Sequence, residues 1–531
     1  MTWSPCVSGA AYTIGIDWNE DGSFTGFDDL TTDVLDQGIS STYGRDQARQ
    51  LSPSKVGDAA FSVCNVSRVF SPENQDSPLF DQLGAARPTR IEVIFENNTY
   101  PIHSGRVDDF SIHADFSNRT VDFTSLDGLA LLQNTQISTS VYRAQRTGFL
   151  INQILNLIGW TAPRSIDVGA NRPPFWWIEG QDAFGAVNDL VLSEGPPAIA
   201  YVAPDGTFVF RDRHHRIQDE RSLTSQAFFN ANEISCETPP VSGFSYTPPF
   251  TYEHGWRDII NHVTQDITVR TPAGEDEVVW SDEGTYTISS GETLVLEAVA
   301  NDPFIMGIRP DPDIDFGSIS GVGTLSVMLG RSSGQSTSIN LTAVGGSVTF
   351  TYIQFRARPV SSGATIKVEE IDSGSVSQHG RKTYPNDLPW VDRHNALAVA
   401  LIILAHYAQR RPIVQMRLSS CDPEHFLQIL TRTISDRITI RNGELGLFDD
   451  FFIESVAHSI SRINPDQPPV HSVVLGCERD IIEIENCFTF DVVGKGFDQG
   501  AFCGQGQDDP DTVFIFDDPQ NGQFDFGVFG T

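Results

Sequence analysis

The chain has 531 residues, 39% of them hydrophobic, so it can bury packed cores and wholesale disorder is not expected. Its formal net charge is -34, from 69 acidic and 35 basic residues. That balance excludes tight non-specific nucleic-acid binding, which needs Lys and Arg to displace counterions from phosphates, and is consistent with a highly soluble surface.

The opening stretch MTWSPCVSGAAYTIGIDW lacks the basic and apolar regions of a Sec-type signal peptide. Residues 1–135 read as all-β. AYTIGIDW, AAFSVCNV, RIEVIFEN and RTVDFTSLD alternate apolar and polar residues, with Gly, Pro, Asn and Asp between them. SPENQDSPL (71–79) is a loop by composition. Near the start, DWNEDGSFTGFD (17–28) places Asp17, Asn19, Asp21, Gly22 and Asp28 at positions 1, 3, 5, 6 and 12 of the EF-hand spacing. An EF-hand needs a helix on each side and normally ends in a bidentate Glu. Here the entering segment alternates like a strand, and the last position is Asp28. Asp-Gly also favours a hairpin tip. The segment is therefore expected to be a β-hairpin turn with no required metal, a calcium loop outside a helical pair being the alternative.

Residues 144–236 change character to helix, helix, hairpin. RTGFLINQILNLIGW puts Leu150, Ile151, Ile154, Leu155 and Ile158 on one helical face, with Gly159 as the stop. In DAFGAVNDLVLSEG, Asp182 is the expected N-cap, Phe184, Val187, Leu190 and Val191 the stripe, and Gly195 the end. AIAYVAPDGTFVFRDR then forms a hairpin around PDG. Residues 237–370 are β-rich again, with strands rich in Gly, Ser and Thr such as GTLSVMLG and STSINLTAV, and are expected to be an inserted β-sandwich.

Residues 371–485 return to mixed structure. A helix is expected from about Asp392 to Arg411, before Pro412. It contains the longest apolar stretch, ALAVALIILAHYA (396–408), which is shorter than the roughly 20 residues of a membrane span. A second helix has Asp422 as N-cap and Pro423 at its first turn. DRITIRN, DFFIESVAHSISRI and PVHSVVLGCER follow as strands. The last segment, 486–531, carries nine Phe, eight Asp and one Lys from Cys487 onward. It repeats FxFD, then FDxGxF, in 488–504 and 514–530. It is too short and Gly-rich for a core of its own and is expected to lie as a strand on a neighbouring chain. The seven Cys are scattered without a CxxC, against both a disulfide framework and structural zinc.

Other candidate sites read as structure. Adjacent His214 and His215 in RDRHHR would face opposite sides of a strand and cannot readily share a metal, so a strand end or interface patch is expected. GSISG (317–321) lacks the GxSxG pattern and its strand-to-helix turn. Asp449, Asp450 and Glu454 are read as hairpin charges, acid/base work being the alternative. FWW (175–177) is read as core or interface, with stacking on a sugar as the alternative. No Gly-rich phosphate loop or basic stripe is visible in the sequence. No catalytic, cofactor-binding or metal residue is therefore assigned, and no cofactor.

Two segments, SGRVDDFSIHADFSNRTVDFTSLD (104–127) and DDFFIESVAHSISRINPDQPPVHSVVLGCER (449–479), both read as apolar–polar hairpins ending in a strand with a terminal acidic residue. Together with YTIGIDWNEDGSF, the Arg45-containing YGRDQ, LSPSKVGDAAFSVCNVSRVFSPENQDSPL, RPTRIEVIF and DGTFVFRDRHHR, their order resembles minor tail proteins of siphophages, especially those infecting actinobacteria. That group is similar to the baseplate-hub proteins of tailed phages. The resemblance covers about 1–235 and 371–485. It implies a β-rich α+β multidomain chain with two tube-like β-barrel domains, in 1–135 and 371–485, beside the helix-helix-hairpin domain and the inserted sandwich. It also implies a homotrimer in the virion tail tip, made in the host cytoplasm. Its partners would be the tail tube or distal tail protein, the tape-measure protein and the fibre or receptor-binding proteins, with DNA passing through unbound. An acidic loop between the first two strands also belongs to the family. The implied role is structural, not enzymatic. A cell-wall glycan hydrolase or glycan-binding module with a β-sandwich is the alternative.

Overall fold

The computed structural model describes residues 10–115, 119–230, 243–331, 333–388, 390–419, 423–461 and 470–479. It is β-rich, with seven α-helices and several sheets among the described residues. None of those helices is long and apolar enough to cross a membrane. The described residues divide into two compact units. The first combines the chain up to Gly128 with Pro197–Asp258 and the described residues from Arg410 onward. The second combines Leu129–Pro196 with Ile259–Gln409.

The first unit begins with six strands: β1 (Ala11–Ile16), β2 (Val34–Arg45), β3 (Ser54–Cys64), β4 (Pro88–Phe95), β5 (Asn98–Ala114) and β6 (Arg119–Leu126). They are ordered β1-β4-β5-β6-β3-β2. The sheet then continues through Leu447–Ser461 to Arg437–Asn442, with Val470–Arg479, Ile413–Ser419 and Thr247–Glu253 branching from it, and comprises 13 strands. The two strand sets expected to form separate barrels thus run into one sheet, and no described sheet closes on itself. The join is the antiparallel ladder of β2 with Leu447–Ser461, from Ile39↔Ile460 to Gly44↔Ser455. Two glycines permit it. A Cβ at Gly38 would stand 2.1 Å from the Ile460 carbonyl oxygen, one at Gly44 would stand 2.6 Å from that of Glu454, and both residues have positive φ. Alternation along β3 and β6 turns Ala59, Phe61, Val63, Val121 and Phe123 inward. Phe123 centres the core, with ring centroids of Phe61, Trp18 and Phe70 at 5.6, 5.8 and 6.1 Å.

In the second unit, the 19-residue strand Ile353–Ile371 pairs along its length with His262–Pro272, Glu277–Asp282 and Phe304–Ile308. Thr293–Val299, Ser336–Val344 and Thr324–Arg331 form a further sheet. Ile339, Leu341, Phe350 and Phe355 are buried in one apolar cluster with their neighbours. Thr247–Glu253, which falls in the segment read as inserted sandwich, pairs instead with Ile413–Ser419 in the first unit. The helices follow their local signals. Thr147–Leu157 buries Leu150, Ile151, Ile154 and Leu155, and Gly159 follows at φ 71°. Ala183–Glu194 is capped by Asp182, whose carboxylate accepts from the Gly185 amide at 2.6 Å. Its buried face runs through Ala186, Val187 and Leu190, leaving Phe184 and Val191 half-buried. Arg393–Tyr407, capped by Asp392, packs on His262–Pro272 and Ile353–Ile371. Pro423 opens the helix Pro423–Thr431, while Asp422 and the segment 486–531 lie outside the described residues.

Candidate functional site

The acidic stretch 17–28 is not a hairpin tip. β1, which leads into it, pairs with β4, and β2, which follows it, pairs with β3 and Leu447–Ser461. The two ends of the loop are tied by the isolated bridge Gly15↔Asp29, by a bond from the Leu30 amide to the Ile14 carbonyl and by one from the Ile14 amide to the Thr31 hydroxyl, not by a ladder of paired strands. A strand enters and a short 3-10 turn, Gly26–Asp28, leaves, so the helices of an EF-hand are missing. The physical reason is competition for the edge of β1. The apolar face of β4 (Ile91, Val93 and Phe95 buried) offers a full ladder, which a local turn cannot match.

The loop is held by its own carboxylates. Asp17 accepts from the amides of Asp21 at 3.1 Å and Gly22 at 2.8 Å. Asp21 accepts from the Ser23 amide at 2.7 Å, and Asp28 from the Trp18 amide at 3.1 Å. The carboxylates of Asp17, Asp21 and Asp28 come within 4.8 Å of one another, a spacing whose oxygens could ligate a hard cation. Burial raises the Asp28 pKa, and Asp17 and Asp21 push it the same way, against the Trp18 amide.

The second charged cluster was hidden in the sequence. Arg211 closes the strand Phe208–Arg211, and His214 and His215 sit half-buried at the turn beyond it. Arg216, by contrast, is only 2% exposed. Its Nη1 lies 2.8 Å from Oε1 of Glu454, and Nε of Arg45 lies 2.9 Å from Oε2 of the same carboxylate. Arg216 also stacks over Phe452, with Cζ 4.4 Å from the ring centroid. The remaining Arg45 donors reach the carbonyls of Ser52, Pro197 and Ala198. Burial pushes the Glu454 carboxyl up, but Arg216 and Arg45 outweigh it and hold the pKa below the ordinary value. The signal that could have found this cluster is weak: Glu454 is the one carboxylate in the largely apolar run FFIESVAHSI.

Asp449 and Asp450 are each bound by an arginine across the sheet. Asp449 accepts from Arg479 at 2.7 Å, and Asp450 from Arg437 at 2.9 Å and the Thr439 hydroxyl at 2.6 Å. They are cross-strand ion pairs, spent as acceptors and poorly suited to acid/base work. Ser320 and Gly321 lie in a short strand paired with Val348–Phe350, with no strand-to-helix turn. Phe175 and Trp176 are buried, and Trp177 meets Trp390 edge-on at 5.1 Å. Arg270 lies over both indoles, its Cζ 4.4 Å from Trp390 and 5.0 Å from Trp177. Burial lowers its pKa to about 10. One face of each of these two indoles is thus covered by the chain's own arginine.

No family model matches the sequence, and no curated protein matches it. Solved structures do show likeness in outline. The tail protein from Neisseria meningitidis matches at 9% identity and TM-score 0.46, covering 89% of this chain and 97% of its own. A 43 kDa prophage tail protein from Shewanella oneidensis matches at 11% identity and TM-score 0.46, covering 88% and 98%. A prophage tail protein from Listeria monocytogenes matches at 10% identity and TM-score 0.38, covering 87% and 94%. At these identities and scores the likeness fixes neither a family nor an activity.

Proposed function

We propose that this chain is a structural component of a phage tail tip: a trimeric hub that caps the tail tube, seats fibre or receptor-binding proteins and opens for the genome. The reading starts from the resemblance of the sequence stretches and their order. The observation that carries it further is the position of the two similar hairpins. β5–β6 and the pair Leu447–Ser461/Val470–Arg479 stand on opposite flanks of the central β2–β3 pair, in the order β5-β6-β3-β2-(447–461)-(470–479). Each hairpin carries a register shift in its first strand, between Val107 and Asp109 in one and between Ile453 and Ser455 in the other. One chain therefore offers two comparable hairpins side by side, and three chains would offer the six positions of a six-fold tube ring. We read 1–135 and 412–485 as the two tube-like portions, joined in one sheet, and the part of 237–370 from Ile259 onward, which lies in the second unit, as an addition to them.

In this reading the chain makes and breaks no bonds. Its neighbours are the tail tube or distal tail protein and the tape-measure protein, and DNA passes an acidic wall without being trapped. Cryo-electron microscopy of the purified protein or particle tests it. The expected result is a three-fold ring with the two domains alternating around the axis. A dimer, or a six-fold ring of identical chains, would overturn the proposal. Turnover of purified cell wall would overturn the non-enzymatic part.

A further inference from the structure

The strand Thr324–Arg331 lies at an open edge. Its sheet runs in the order Thr293–Val299, Ser336–Val344, Thr324–Arg331, and no strand among the described residues pairs with its far side. Two side chains show how its backbone is turned. The Gly330 carbonyl accepts from the hydroxyls of Thr337 at 3.3 Å and Ser338 at 2.9 Å, so it faces Ser336–Val344. Alternation then turns the N–H and C=O groups of Leu325, Val327 and Leu329 to the open edge.

Edges of natural sheets are guarded by charge or proline, because a bare edge pairs with other chains. Thr383–Asp387 carries Pro385, Thr247–Glu253 carries Pro248 and Pro249, and Glu277–Asp282 is charged at both ends. Thr293–Val299, the other edge of the same sheet, carries Glu297. Thr324–Arg331 has neither guard. Between Asp315 and Arg356 the one charge is Arg331. Its guanidinium is folded back onto the carbonyls of Ile305, Ser333 and Gly334.

We propose that this edge pairs antiparallel with the same edge of a second copy, about a two-fold axis at Val327. That register sets Val327 against its own counterpart and Leu325 against Leu329, so the main chains of all three residues are bonded. The side chains select it. On the inner face Leu325 meets Leu329 of the copy, and both are only half-buried in the single chain. On the outer face the exposed Met328 meets Ser326, and Thr324 meets Gly330, large against small. Moving the axis to Met328 would set Leu325 against Arg331. No like charges meet across the axis, although elsewhere a chain of net charge -34 repels a copy of itself. A two-fold contact joins chains in pairs and cannot close a three-fold ring, so the inference stands or falls separately from the tail reading.

Two measurements on the full-length purified protein test it. In the first, the variants Ser326→Cys and Met328→Cys are oxidised separately and as a mixture. Residue 326 of one copy and 328 of the other form a non-hydrogen-bonded pair with Cα atoms about 4.5 Å apart, within disulfide range, whereas like positions stand about 7–8 Å apart. Peptide mapping should find the 326–328 disulfide in the mixture, and at most about a tenth as much 326–326 or 328–328 linkage in either variant alone. Absence of the mixed disulfide, equal bridging in a single variant, or a main product linked to another cysteine overturns the proposal. In the second, amide hydrogen exchange over 324–331 is compared between S326K/M328K and S326K/M328E. Both positions are exposed, so neither variant touches the core. Four like charges meet across the axis in the first variant and two opposite pairs in the second. Exchange should be about fivefold faster or more in S326K/M328K. Equal exchange in the two variants overturns the proposal.

Discussion

Acidification should unfold the first unit through histidines that the fold keeps neutral, and His103 is the one whose contribution can be isolated. It lies on β5, 4% exposed, with Nε2 2.9 Å from the Ser125 hydroxyl. Burial lowers its pKa to about 4, and the nearby carboxylate of Asp58 pulls upward without compensating. The unfolded chain titrates near the ordinary value of about 6.5. Above that pH both states are neutral and the group costs nothing. Below it the unfolded state takes up a proton that the folded state refuses until about pH 4, so stability falls across this window. At pH 5 the difference amounts to about 2 kcal/mol from this one residue. The buried pair His458 and His471, 3.0 Å apart, acts in the same direction, since burial lowers both and His458 lowers His471 further. Urea unfolding at pH 7.5 and pH 5.0, followed by a probe in the first unit, measures the loss. His103→Gln will carry its own cost at pH 7.5. The decisive quantity is the further loss on going to pH 5.0, which should be smaller in the variant by about 2 kcal/mol. If the wild type and His103→Gln lose the same amount, the imidazole is not held neutral and the reasoning is wrong.

Glu454→Gln should destabilise the first unit by about 3–5 kcal/mol, because it leaves Arg45 and Arg216 buried without their counter-charge; a loss below about 1 kcal/mol in urea unfolding would show that the cluster contributes little. Asp182→Ala removes the cap on Ala183–Glu194 and should cost about 1 kcal/mol, read as a lowered midpoint of the second unit's unfolding transition. Chelation should leave the melting temperature unchanged, since the carboxylates of 17–28 already accept four main-chain amides. Micromolar calcium binding with a rise of several degrees would mean that the three convergent aspartates form a working cation site.

The helices were legible because their signals are local. Asp182 and Asp392 each bond an amide three residues on, and Gly159 and Gly195 stop their helices through positive φ. The buried stripe of Ala183–Glu194 is slightly rotated from the one the sequence suggests, since Phe184 looks like a core residue but Ala186 occupies the closer-packed position. Strand partners were not legible. Alternation identified β1 as a strand, yet nothing in residues 17–28 says that β1 will pair with β4 and not with β2. Buried charge was the other blind spot. RDRHHR looks like a surface patch, and only the fold turns Arg216 inward while leaving His214 and His215 at the turn. The aromatic run FWW was readable as packing, but its partner Arg270 is far away in sequence.

Glu454 occupies the point where the strand Leu447–Ser461 changes partners. Below it, Leu447–Phe452 pairs with Arg437–Asn442; above it, Ser455–Ile460 pairs with β2. The shift in register on the other edge, between Ile453 and Ser455, falls at the same residue. A strand that exchanges partners has two ladders to keep in step, and apolar alternation alone tolerates a slip of two. A slip of one would turn the carboxylate to the opposite face, away from Arg45 and Arg216. A slip of two would carry it along the strand by roughly 6.6 Å, beyond the reach of both bonds. A buried ion pair is weak evidence for stability, because an apolar trio of similar volume would serve as well or better. Its bonds are compatible with one register of the strand, and they join a residue from near the start of the chain, one from the middle and one from near the end. Gly38 and Gly44 let β2 approach closely enough for that register to form. The same three residues therefore tie the early and late strands of the chain together within one sheet.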